Sequence, residues 1–185
     1  MWYLLSRNPE VEAKLHAEID AAVGDRPITV EALGRLPYLE MVVKESMRIL
    51  PSVWTYMRAP LEDIWLGGRF IPKGATVMIS PYITAHDERF FQDPDVFRPE
   101  RFTSEAEAAL PKGAYTPFAG GRRACMGAAF AMMESRIILG TFVQRLHAKI
   151  PDIDKPEWTA QLSLTPKGGL PSVVRLRDTT PASQN

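Results

Sequence analysis

One decapeptide constrains this chain more than any other stretch: Phe118-Ala119-Gly120-Gly121-Arg122-Arg123-Ala124-Cys125-Met126-Gly127. It carries the only cysteine of the 185 residues, three glycines and two arginines, and it runs directly into a helical pattern from about Met126 to Leu146. A sulfur at or just before a helix N-terminus meets free backbone N–H groups and the positive end of the helix dipole, both of which stabilise a thiolate. Such a thiolate can be a nucleophile, a redox sensor or a metal ligand. The glycines favour the ligand, because residues without a Cβ let a flat cofactor approach the backbone closely. An inert buried cysteine in a glycine-rich loop is the commoner arrangement, but it explains neither the arginines nor Phe118.

The totals narrow the field. With 22 Lys+Arg against 22 Asp+Glu the chain is formally neutral, and without basic clusters there is no electrostatic case for nucleic acid. A hydrophobic share of 45% is ordinary for a globular protein, and the length suits one domain, residues 1–185, with a real core. A single cysteine leaves no intrachain disulfide, which suits a reducing, cytoplasmic setting. No apolar run is long enough to cross a bilayer, and the opening Met1–Arg7 is too short in its apolar part for a signal peptide.

Along the chain, Trp2–Ser6 reads as the last turn of a helix that lacks its beginning. Asn8 is placed to cap and Pro9 to open a helix whose apolar positions are Val11, Leu15, Ile19 and Ala22, with Gly24 as its stop. Thr29 could cap a short helix ending near Leu33. Pro37 opens the next helix, which ends before Pro51 and turns Leu39, Val42, Val43, Ser46, Ile49 and Leu50 inward. Glu45 and Arg48 fall off that stripe, and spacing alone makes them a surface pair contributing less than about 1 kcal/mol. Ile64–Leu66 and Arg69–Ile71 flank Gly67-Gly68 as a hairpin. Thr76–Ile79 reads as a strand and Pro81–Ala85 as a short helix. Residues 86–110 are irregular but ordered, since Phe90, Phe91, Phe97 and Phe102 require burial. After Cys125 the helix presents Phe130, Met133, Ile137, Ile138, Thr141 and Phe142 as core residues. Trp158–Leu164 and Ser172–Leu176 read as two strands joined through Pro166-Lys167-Gly168-Gly169, and Asp178–Asn185 as a frayed end.

Three of these stretches together resemble the cytochrome P450 family. Phe118 to Gly127 fits its Phe-x-x-Gly-x-Arg-x-Cys-x-Gly haem signature, Glu45-Ser46-Met47-Arg48 its Glu-x-x-Arg motif, and Pro99-Glu100-Arg101-Phe102 its Pro-Glu-Arg-Phe segment, in the family's order. The resemblance implies a mainly α fold with small β-sheets, of which this chain is the C-terminal portion. Most of the long distal helix, with its proton-relaying acid-alcohol pair, would precede Met1. It implies haem b held by Cys125 as axial ligand to the iron, with Phe118, Gly121 and Gly127 shaping the loop and Arg123 and Arg58 pairing with the propionates. It implies that Arg101 bonds Glu45 alongside Arg48 in a charge network, and that Ser52, Val53, Trp54, Thr55, Gly169 and Leu170 approach substrate. The implied activity is monooxygenation of a small organic substrate by O2. Electrons would come from NAD(P)H through a ferredoxin, flavodoxin or flavin reductase.

Other readings leave different traces. A haem-thiolate dehydratase or isomerase would need no electron donor, and a non-catalytic haem-binding remnant would turn over with none. A cysteine nucleophile needs a histidine nearby. Yet His147 lies about 33 Å along the same helix at about 1.5 Å per residue, and His16 and His86 sit in no motif. One cysteine and three scattered histidines make a zinc site weaker still.

Overall fold

The computed structural model describes residues 1–151 and 156–177, so the expected frayed end from Asp178 lies outside the described residues. Among the described residues there are six α-helices: α1 Trp2–Arg7, α2 Pro9–Ala22, α3 Pro37–Ile49, α4 Pro81–Ala85, α5 Ser104–Ala109 and α6 Ala128–Arg145. Single 3-10 turns cover Glu31–Arg35, Pro99–Phe102 and Gly121–Arg123. Pro9, Pro37 and Pro81 each open a helix, where a missing N–H costs nothing. Gly24, at φ +62°, donates its N–H to the Ile19 carbonyl and closes α2.

Asn8 does not cap α2 with its side chain. Its amide nitrogen turns back to the Leu4 carbonyl at 2.7 Å and finishes α1, while its own carbonyl accepts from Val11 and Glu12. The free amides at the start of α3 are satisfied from another helix. The Glu18 carboxylate accepts from Tyr38 N at 2.6 Å and Leu39 N at 2.9 Å.

The core lies between α2, α3 and α6. Leu15, Ile19, Leu39, Val42, Val43 and Val143 are fully buried in it. Gly140 lets α6 come close, because a Cβ there would stand 2.8 Å from Ile28 Cδ1 and 3.0 Å from Leu39 Cδ2. Of the residues expected to face inward from α6, Met133 and Ile137 pack against this core. Phe130, Ile138, Thr141 and Phe142 are exposed instead. The helix is apolar on several sides, and the buried stripe passes through Leu139, Gly140 and Val143 because that is where α3 lies. Phe142 instead meets the edge of the Trp2 ring, at 6.0 Å.

The strands among the described residues form four separate antiparallel pairs. β2 (Ile64–Leu66) and β3 (Arg69–Ile71) make the expected hairpin, with Gly67 and Gly68 at φ +55° and +76°. β4 (Val77–Ile79) pairs with β1 (Tyr56–Arg58), a strand that was not expected. Two further corrections concern the C-terminal part. The stretch Trp158–Leu164 is not one strand: β6 (Trp158–Ala160) and β7 (Leu164–Pro166) fold on each other. β8 (Val173–Leu176) pairs instead with β5 (Leu146–Lys149), directly after α6. Helix α6 therefore ends at Arg145, and His147 belongs to a strand. The β5–β8 pairing depends on partners distant in sequence, which local patterns do not encode.

Residues 86–98 are ordered coil and, with the 3-10 turn Pro99–Phe102, pack over α3, with Phe91, Phe97 and Phe102 buried and Phe90 half-buried.

Candidate cofactor site around Cys125

The loop before α6 is closed by its own backbone. Cys125 N–H donates to the Phe118 carbonyl at 2.9 Å, Ala119 N–H to Thr116 and Ala124 N–H to Gly121, both at 3.1 Å. Two residues have left-handed backbones, Ala119 at φ +59° and Gly121 at φ +68°. The second accounts for glycine at that position. Cys125 ends three residues before α6, and its carbonyl accepts from Ala128 N at 3.4 Å. A Cβ on Gly127 would lie 3.8 Å from the Cys125 sulfur and meet nothing else. The thiol itself is exposed.

Cys125 lines a cavity of about 440 Å³, within the range of pockets that hold sizeable ligands. Three separate pieces of chain build it. Met47, Pro51, Ser52, Val53, Tyr56 and Arg58 form one wall; Pro117, Phe118, Ala119 and Arg123 a second; Ala131 and Ser135 of α6 a third, joined by Met1. Phe118, Arg58 and Arg123 were expected around Cys125. Tyr56, Met47, Ala131 and Ser135 were not, although the four-residue spacing of Ala131 and Ser135 on α6 is a legible sign of one helical face.

Arg58 is held on several sides. Its Nη1 donates to the Met57 carbonyl at 2.9 Å and its Nη2 to the Arg123 carbonyl at 3.3 Å. Its guanidinium lies 4.7 Å from the centre of the Tyr56 ring. The other expected contacts are more scattered. Val53 and Ser52 line the cavity. The Trp54 indole donates to the Gln161 carbonyl at 2.7 Å, and the Thr55 hydroxyl to Ile79 at 3.1 Å. Leu170 borders a different hollow, of about 310 Å³, with Trp2 and Phe142. Gly169 takes φ +82° in the turn before β8.

Behind the cavity, Glu45 and Arg48 are 0% and 1% exposed, which corrects the surface pairing that spacing suggested. Arg48 Nε and Nη2 reach Glu45 at 2.7 and 2.9 Å, a two-point contact suited to the planar guanidinium. Its Nη1 donates to the Ala85 carbonyl at 2.7 Å, and its guanidinium lies 5.1 Å from the Phe91 ring. Glu45 also accepts from the Arg98 backbone N–H at 2.9 Å. One buried helix pair therefore pins both ends of the coil. Arg101 joins as an ion pair, with Nε 3.4 Å from Glu45 but not aligned for a hydrogen bond. Its Nη2 donates to the Asp93 carbonyl at 2.6 Å. Tyr115 donates from its hydroxyl to the Lys44 carbonyl at 3.0 Å, and burial pushes that hydroxyl well above the usual tyrosine range, so it stays a donor.

A mainly apolar hollow with one cysteine and two arginines among its lining residues fits a flat, apolar macrocycle bearing an acidic edge and a metal centre. No histidine lines this cavity. Among the described residues no group of three or more His, Cys, Asp or Glu could hold a metal ion by itself. None of the helices among them is long and apolar enough to cross a membrane.

Comparison with known proteins agrees with this geometry. The family model described as Cytochrome P450 matches residues 1–173. Cyclooctatin synthase of Streptomyces melanosporofaciens is 38% identical over 164 residues, 89% of this chain and 36% of that protein. Human cytochrome P450 4V2 is 41% identical over 173 residues, 91% of this chain and 33% of that protein. Among solved structures, the cytochrome P450DA heme domain superposes with a TM-score of 0.88 at 30% identity, over 96% of this chain and 40% of that one. The chain thus spans about a third of the length of these curated relatives.

Proposed function

The chain belongs to the cytochrome P450 family, and from that premise we propose that it forms the haem-holding part of a haem-thiolate monooxygenase. The observation that carries the reading is that Cys125, Arg58 and Arg123 line one mainly apolar cavity. Cys125 would be the axial ligand, as a thiolate. When bound, haem b supplies O2 activation, which thiolate ligation promotes by favouring O–O cleavage. The overall change puts one oxygen atom into a substrate C–H bond and releases the other as water, using two electrons and two protons. The electrons would come from NAD(P)H through a ferredoxin, flavodoxin or flavin reductase.

The chain's own residues have definable tasks in that scheme. The backbone-closed loop fixes the sulfur in position before any ligand arrives. Phe118 lines the same cavity and would give the bound thiolate an apolar neighbour. Gly127 leaves the sulfur free of a neighbouring side chain. Arg58 and Arg123 offer fixed positive charge to carboxylates. Glu45, Arg48 and Arg101 hold the coil that backs α3. Ser52 and Val53 are the cavity residues placed to meet a small organic substrate.

The test is the carbon monoxide difference spectrum of the reduced chain after haem addition. A thiolate-type Soret band is expected for the wild type and its loss for Cys125→Ser. No haem uptake by the wild type, or a thiolate-type band retained in Cys125→Ser, overturns the reading.

A further inference from the structure

Tyr56 belongs to none of the motifs that identify the site, yet it lies at the cavity wall under the guanidinium of Arg58. The two residues are two apart on β1, so both side chains leave the same face of the strand. Met57, between them, faces the other way and is 56% exposed. The guanidinium stands 4.7 Å from the Tyr56 ring centroid, well inside the distance at which an aromatic face attracts a cation. The Met57 and Arg123 carbonyls hold the edge of the guanidinium, and the ring holds its face. A long arginine at a cavity wall ordinarily samples many rotamers, and fixing one of them in advance lowers the cost of binding.

We propose that Tyr56 is a positioning residue. Its aromatic face is the platform that fixes Arg58 for a carboxylate on the edge of the cofactor. The inference rests on the haem reading above and extends it to a residue outside the family's motifs. The hydroxyl has no part in it; the ring face does the work.

The experiment compares two ligands, haem and haem dimethyl ester, which share the iron and the macrocycle but differ in free carboxylates. Binding is followed by Soret titration of the whole chain, so no turnover is needed. The wild type should prefer haem over the ester. In Tyr56→Leu that preference should fall by about three- to tenfold, the range expected for loss of a partly desolvated cation–ring contact. Tyr56→Phe should keep it. Equal weakening of both ligands in Tyr56→Leu would make Tyr56 merely structural and overturn the proposal. Loss of the preference in Tyr56→Phe would assign the effect to the hydroxyl and overturn it as well. If the wild type binds haem and ester equally, the haem reading stands and this inference falls. If it binds neither, both fall together.

Discussion

At the scale of single residues, the buried Glu45–Arg48 pair is where the chain is most vulnerable. Arg48→Ala would leave a carboxylate in the interior without its guanidinium, a change that typically costs about 3–5 kcal/mol. Urea unfolding should show that loss or outright failure to fold. Arg48→Lys should not restore stability, because a single ammonium cannot reach Glu45 twice and Ala85 as well. Periodicity placed this pair on the helix surface, and it was wrong for a physical reason. The exposed side of an isolated α3 becomes interior once segment 86–102 lies over it, and a coil without a ladder leaves no periodic trace. The Glu-x-x-Arg resemblance pointed to these two residues as part of a charge network, and the chain folds them into a buried two-point contact. It also expected Arg101 to bond Glu45, whereas the arginine stands beside it at 3.4 Å and bonds Asp93.

At the scale of elements, the packing of α6 against α3 turns on Gly140. Gly140→Ala puts a methyl group within 3.0 Å of Ile28 and Leu39. The overpacking should cost about 1–3 kcal/mol by urea denaturation, although alanine is the better helix former. Helix α2 meets the β5–β8 pair through a different chemistry. His147 Nδ1 lies 2.9 Å from Glu12, Arg177 pairs with Asp20, and the Nε2 of His16 is buried among them without a partner. Burial, and then the Arg177 charge, hold His16 below its ordinary 6.5, while Glu12 and Asp20 oppose the shift. The folded protein therefore binds the His16 proton less readily than the unfolded chain. Stability from this group is complete above 6.5 and is lost as pH falls through the lower folded value. The urea midpoint should decline over that window in the wild type and decline less in His16→Gln. Helices were legible because Pro9, Pro37 and Pro81 mark their starts. The pairing of β8 with β5 was not, because each strand's partner is some thirty residues away and both are only four residues long.

At the scale of the whole molecule, the cavity exists only where residues 47–58 meet the distant stretch 117–135, with Met1 beside them. The Cys125 loop itself could be read directly, since its chemistry sits in ten consecutive residues. Tyr56 could not, because only the fold brings it there. A ligand that joins all three walls binds the folded state alone, so haem should raise the melting temperature. At about a hundredfold excess over Kd the gain is about 2.7 kcal/mol, or about 5–10 °C for a chain of this size. Differential scanning fluorimetry should show a smaller shift in Cys125→Ser, which loses the bond to iron. The backbone bonds that tie Cys125 to Phe118 and Ala124 to Gly121 have a kinetic corollary. A presenting loop already bent into shape needs no rearrangement during capture. Uptake should then proceed in one phase, at a speed that grows in simple proportion to haem concentration and never levels off into a slow isomerisation.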